Sequence, residues 1–333
     1  MKLSSIFSSH MVLPAGKALY VYGEGEGRVT VTLDAQTVSA VAVNGQWMAT
    51  LSPMPYGGPY TMTVSCGEER IALDDVWVGE VYLCAGQSNM QFKLCESATA
   101  KAEWVGDSRI RLFSTNRPEG GERFRAEDGW VVCTDENAGA FTAIGYHVAR
   151  AVAAEKNIAV GLVTCYQGAS VIESWMPVGT CEGLGIHIPI SEKFGDHTCT
   201  NYAGWNGDGM LYEKVLSQIT PYAQSAVIWY QGESDVSTAE GLVYADELCA
   251  LIRIWRRDFI DEALPFIVVQ LADFDDRRCE GWTLVQEAQM AVPGMLPGVT
   301  TVVSRDICET DNIHPPTKHL LAARIAAAMA DFA

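Results

Sequence analysis

Three residues from two distant segments of the chain have the types and surroundings for nucleophilic catalysis: Ser88, Asp311 and His314. Ser88 lies in Cys84-Ala85-Gly86-Gln87-Ser88-Asn89-Met90, just after the apolar run Val78 to Ala85, which reads as a buried strand. A serine hydroxyl becomes a working nucleophile when its Oγ projects from a tight turn and a base stands beside it. Gly86 permits such a turn, and a helix starting at the serine turns its first N–H groups toward a developing oxyanion. The segment is not the G-x-S-x-G elbow of the α/β-hydrolases. Asp311-Asn312-Ile313-His314-Pro315 sets one of only six histidines three residues after an aspartate. A loop of that spacing can fold the carboxylate onto imidazole Nδ1 and leave Nε2 facing outward. Taken alone, each segment also reads as an ordinary polar turn; the chain order Ser…Asp…His supports the pairing.

Two further segments follow strand-like runs. Tyr166-Gln167-Gly168-Ala169-Ser170 comes after a strand ending at Cys165, and Gly168 lets a backbone N–H approach a substrate closely. Trp229-Tyr230-Gln231-Gly232-Glu233-Ser234-Asp235 comes after the next strand, and Gln231 offers a side-chain N–H. The four segments together, all at expected strand ends, predict a nucleophile, a base and donors for an oxyanion.

The elements that must position them divide the chain in two. Residues 1–75 read as a small β-rich, sandwich-like domain: Val29 to Leu33, Val38 to Val43 and Tyr60 to Val64 alternate, with glycine-rich turns between them. The run Gly23 to Gly27 reads as one of those turns, since acidic residues stand where a phosphate would sit. Residues 76–333 alternate strand and helix. Strands are expected at 78–85, 158–165, 226–230, 265–271 and 299–303, and helices at 143–156, 244–258 and 320–332. That alternation predicts an α/β fold with a mostly parallel, doubly wound sheet, whose site lies at the carboxyl ends of the strands.

Composition narrows the function classes. Of 333 residues, 48% are hydrophobic and 19% charged, as in a folded globular protein. The net charge of −18 disfavours nucleic acid and anionic membranes as partners, and any anionic substrate would need local Arg or Lys. No run reaches the roughly 18–20 apolar residues of a membrane helix. With no signal-peptide pattern and ten scattered cysteines lacking a C-x-x-C pair, a cytoplasmic location is expected.

Gly-Gln-Ser-Asn-Met (86–90), Trp-Tyr-Gln-Gly-Glu-Ser (229–234) and Asp-x-x-His (311–314) together resemble the sialate O-acetylesterase family of SGNH hydrolases. The resemblance extends over nearly the whole chain, including His10 to Pro14, Gly57 to Tyr60, Asp75 to Val81, Arg111 to Phe113 and Leu264 to Phe266. It implies a three-layer α/β/α, flavodoxin-like SGNH domain and hydrolysis of acetyl esters on sugar hydroxyls, with no cofactor and no metal. It implies Ser88 as nucleophile, His314 as base and Asp311 as orienting acid. The implied oxyanion donors are the Ser88 and Gly168 N–H groups and Gln231, with Ser234 a competing alignment for the last. Gln87, Asn89, Glu173, Trp175 and Glu233 are candidate substrate contacts, although packing serves equally well for Trp175 and internal hydrogen bonding for the Glu233–Asp235 pair. The second block departs from the family's usual Trp-Gly-Gly-Thr, and the stretch 181–206 matches nothing in it. The substrate expected is a small acetylated sugar, sialic acid first, with acetylated xylan fragments as the alternative.

Two readings from other classes stand beside this one. A carbohydrate-binding protein without catalysis would not require Ser88, Asp311 and His314 together. Cys181, His187, His197 and Cys199 lie close enough in sequence to hold zinc, but their spacing fits no standard site. His147 reads as a core or half-buried residue, and His319 has no assigned role.

Overall fold

The computed structural model describes residues 1–98, 100–120, 122–189, 192–193, 202–277 and 279–330. The N-terminal segment lays down β1 (Lys2–Leu3), β2 (Val12–Pro14), β3 (Leu19–Glu24), β4 (Arg28–Leu33), β5 (Gln36–Val41), β6 (Gln46–Leu51) and β7 (Gly57–Cys66). Strand alternation decides which side chains go inside: Val29, Val31 and Leu33 of β4 and Trp47, Ala49 and Leu51 of β6 are buried, while their neighbours are not. Each fully buried valine or leucine contributes about 1.5–3 kcal/mol. β1, β3 and β6 form one small antiparallel sheet, and β4 pairs with β5 and β7. The Gly23–Gly27 run links β3 to β4, as its turn residues predict.

The next strand, β8 (Glu69–Gly86), joins this part to the rest. Its first half pairs antiparallel with β7; its second half enters a parallel sheet, so the chain crosses position 75/76 without a break in the strand. The sheet continues with β9 (Asp107–Ser114), β10 (Val131–Cys133), β11 (Val160–Tyr166), β12 (Ala226–Tyr230), β13 (Phe266–Val269) and β14 (Val299–Val302), in the spatial order β10-β9-β11-β8-β12-β13-β14. All neighbours from β9 to β14 run parallel; β10 alone is antiparallel, at the edge. Every residue of β11, β12 and β13 is buried, which is why they read as unbroken apolar runs. From β8 the chain moves to one side for β9 and β11, then to the other for β12. The order reverses beside β8, the kind of point at which open α/β sheets hold their ligands.

The helix Ala143–Lys156 forms as its apolar spacing predicts. The helix Thr238–Asp258 begins earlier than Tyr244, because Ser237 caps it by accepting the Glu240 N–H. The sequence pattern missed β9, whose Asp107, Arg109 and Arg111 break the apolar run; Arg111 is buried and pairs with Asp75 at 3.0 Å. It also missed the helix Glu280–Met295, where Gly281, Pro293 and Gly294 blur the helical period.

Candidate active site

β8 ends at Gly86 with φ +129°. A Cβ there would lie 2.1 Å from the Tyr230 carbonyl oxygen, so only glycine lets the ends of β8 and β12 converge. The Gln87 N–H donates to Tyr230 O and the Gln167 N–H to Gly86 O, each at 3.0 Å. Three strand ends are thus laced together beneath Ser88, which opens the short helix Ser88–Gln91.

His314 arrives from the loop after β14, and its Nε2 lies 2.8 Å from Ser88 Oγ. The turn is held by the His314 N–H donating to Asn312 Oδ1 at 2.8 Å and by Asn89 Nδ2 donating to Ile313 O at 2.9 Å. Burial lowers the His314 pKa below the usual histidine value; the Lys318 charge lowers it further, and Glu96 opposes the shift. The imidazole is therefore neutral near pH 7, as a proton acceptor must be.

Asp311 is exposed and makes no hydrogen bond or ion pair with His314. The spacing led us to expect a contact with Nδ1. The turn instead satisfies itself through Asn312 and the main chain, and a solvated carboxylate is under no burial pressure to pair.

Gly168 lies beside Ser88. A Cβ on it would sit 3.7 Å from Ser88 Cβ and 3.2 Å from Gln91 Oε1. Its N–H donates to Gln91 Oε1 at 3.0 Å. Gln231 does not join it, contrary to expectation. Its Nε2 donates to Ser170 O at 2.8 Å and to Asp235 Oδ2, while its Oε1 accepts the Tyr244 hydroxyl at 2.8 Å. A fully buried carboxamide must pair every polar atom, and here the core supplies the partners. Ser234, the competing candidate, is also buried.

Most of the expected substrate contacts face inward as well. Gln87 is buried with Oε1 accepting the Gly232 N–H at 3.3 Å. Asn89 and Glu233 are buried and bonded to each other at 2.5 Å. Trp175 is fully buried, donates to Ser170 Oγ at 3.0 Å and packs edge-on against Trp229 and Trp255. Glu173 pairs with Lys193 beside a small cavity that also touches Asp235, Glu240 and Glu247. Gln87, Asn89, Glu233 and Trp175 therefore pack behind the site, while Glu173 is half-buried at that cavity. Asp235 accepts the Ile172 N–H at 3.1 Å, a structural bond as its burial requires.

Lys318 is the site residue that sequence reasoning overlooked. A lysine opening the last helix reads as a solvated charge, yet its side chain is 1% exposed and its Nζ lies 2.5 Å from Asn89 Oδ1. Of the four zinc candidates, Cys181 is buried against Glu247 and His187 is exposed, while His197 and Cys199 lie outside the described residues. No group of metal-binding side chains occurs among the described residues. His147 is half-buried and lies ring to ring with His319. No helix among the described residues is long and apolar enough to cross a membrane.

Comparison with known proteins bears on this arrangement. The family model described as carbohydrate esterase, sialic acid-specific acetylesterase matches residues 78–331, the span that contains Ser88, Gly168 and His314. The chain belongs to this family. The sialate O-acetylesterases of Pongo abelii and Homo sapiens are each 26% identical to it, over 97% of this chain and 69% of theirs. Among solved structures, a carbohydrate acetylesterase from Xanthomonas citri is similar, with a TM-score of 0.82 and 29% identity. That match covers 98% of this chain and 74% of the other.

Proposed function

We propose that this chain is a carbohydrate O-acetylesterase that hydrolyses acetyl esters of sugar hydroxyls through a serine-bound acetyl intermediate. The observation that carries the reading is the 2.8 Å approach of His314 Nε2 to Ser88 Oγ at the reversal point of a parallel sheet. Membership of the acetylesterase family supplies the bond class.

Ser88 Oγ attacks the acetyl carbonyl carbon while His314 Nε2 takes the hydroxyl proton. The carbonyl oxygen gains negative charge and turns toward the Gly168 and Ser88 N–H groups. The C–O bond to the sugar breaks, and His314 returns its proton to the departing sugar oxygen. Water then attacks the acetyl-serine, His314 again accepts the proton, and acetate leaves as Ser88 is restored. Asp311 enters as the orienting acid by family resemblance, a role that requires the 311–314 turn to tighten when substrate binds. The same reading takes residues 76–333 as a three-layer SGNH hydrolase domain and 1–75 as a small β-sandwich. The order β11-β8-β12-β13-β14, which is 2-1-3-4-5 with β9 and β10 added at one edge, supports the first part.

A sialic acid carrying an acetyl ester is the substrate to test first. Acetate release by the wild type and by Ser88→Ala, from 9-O-acetylated sialic acid and acetylated xylo-oligosaccharide in parallel, tests the whole reading. Ser88-dependent release favouring sialic acid supports it. Preference for the xylo-oligosaccharide keeps the mechanism and changes the sugar, and wild-type turnover by folded Ser88→Ala overturns the mechanism.

A further inference from the structure

We propose that Lys318 is a positioning residue for His314: acting through Asn89, it ties the histidine loop to the serine turn. The inference rests on the assignment of Ser88 and His314 made above.

Lys318 is the first residue of the helix Lys318–Met329, four positions after His314. No carboxylate forms an ion pair with it among the described residues. Burying an ammonium group without such a pair is costly, so its other contacts matter. Nζ bonds to Asn89 Oδ1 at 2.5 Å and lies 4.9 Å from the Phe92 ring centre and 5.6 Å from that of Tyr230. Asn89 and Phe92 belong to the serine turn, Tyr230 ends β12, and Lys318 follows the histidine loop. One buried ammonium therefore touches three of the segments that build the site.

The chemistry of the contact fixes more than distance. An ammonium group can only donate, so it selects the oxygen of the Asn89 carboxamide. The amide nitrogen must then face the other way, where it donates to Ile313 O at 2.9 Å and Glu233 Oε1 at 2.5 Å. Ile313 immediately precedes His314, so the orientation of one side chain sets where the imidazole meets Ser88. This tie takes the place of a carboxylate on Nδ1 in the substrate-free protein.

The charged groups around the pair are few. Lys318 and Glu96 act on His314, with opposite signs. Burial pulls the Lys318 pKa down to about 8, and Cys308, Glu233 and Glu309 oppose the fall, so the group keeps its charge near neutral pH.

The test measures kcat and KM against pH for Lys318→Met, Lys318→Gln and Lys318→Arg. The substrate is 4-nitrophenyl acetate, so the identity of the sugar does not enter, and Ser88→Ala is run alongside. In Lys318→Met, kcat falls about tenfold or more, KM changes less than about twofold, and the acid limb of kcat/KM moves to higher pH. Lys318→Gln shows the same limb shift with a smaller kcat loss, since its amide can still donate to Asn89. Lys318→Arg keeps the limb where the wild type has it. An unshifted acid limb in Lys318→Met, or an unchanged kcat, overturns the proposal. If Lys318→Met does not fold, Asn89→Leu cuts the same tie, and wild-type kcat in that variant overturns the tether. Ser88→Ala retaining turnover removes the underlying mechanism; Ser88→Ala inactive beside a wild-type-like Lys318→Met removes this inference alone.

Discussion

The side-chain oxygen of Gln91 accepts the Gly168 N–H at 3.0 Å. A carboxamide oxygen is a close chemical stand-in for an ester carbonyl oxygen. On the mechanism proposed above the Gly168 N–H receives the oxyanion, so an incoming ester must displace the Gln91 oxygen. Gln91→Ala is expected to lower KM about two- to tenfold, the worth of one net hydrogen bond, with kcat little changed. Steady-state kinetics on a small acetyl ester decide it. A hundredfold fall in kcat would instead make the Gln91 amide a donor to the oxyanion.

Gly86→Ala combines a left-handed backbone angle with an overlap against the Tyr230 carbonyl. The expected cost is about 3 kcal/mol or more, read from urea unfolding. A variant within about 0.5 kcal/mol of wild type would show that the two strand ends can part without penalty.

For Asp311→Asn, kcat/KM is expected to fall about a thousandfold or more, if the turn closes the carboxylate onto His314 during turnover. A loss below about tenfold would mean that Ser88 and His314 work as a pair oriented by Asn312 and Asn89.

Gln231→Leu leaves Asp235, Ser170 O and the Tyr244 hydroxyl short of a partner. Stability is expected to drop by about 2–3 kcal/mol, while kcat/KM of the folded fraction stays within about tenfold of wild type. A loss of 100-fold or more at full stability would restore Gln231 as an oxyanion donor.

Burial, first among the causes, raises the pKa of Glu247 to about 7; nearby Glu173 and Glu240 add to the rise, and the Cys181 contact opposes it. The unfolded chain releases this proton near the ordinary glutamate value, so the stabilising contribution is full below about pH 4. It declines as pH rises and is lost once pH passes about 7. Glu247→Gln should therefore raise the melting temperature more at pH 8 than at pH 5. An equal change at both values would place the ionised carboxylate in water.

Much of the site was legible in the sequence because local chemistry constrains local sequence. Gly86 before Ser88 answers a steric demand that only glycine meets, and the buried run ahead of it answers the burial of β8. The apolar runs of β11 and β12 disclosed a sheet buried on both faces. Elements whose patterns were broken by paired charges or by proline, such as β9 and the helix Glu280–Met295, were not legible. Their burial depends on partners distant in the chain.

By itself the sequence determined the α/β class, the strand-end turns, and Ser88, Gly168 and His314 as residues that the fold brings together. Tertiary structure alone decided which motif residues point outward. Asn89, Glu233, Trp175 and Gln231 stand beside the reactive groups in sequence yet turn into the core, and Lys318, a charged residue at a helix start, turns in with them. The reason is physical. A polar atom's role depends on which partners lie within hydrogen-bond reach once water is excluded, and those partners come from segments as distant as Asn89 and Lys318.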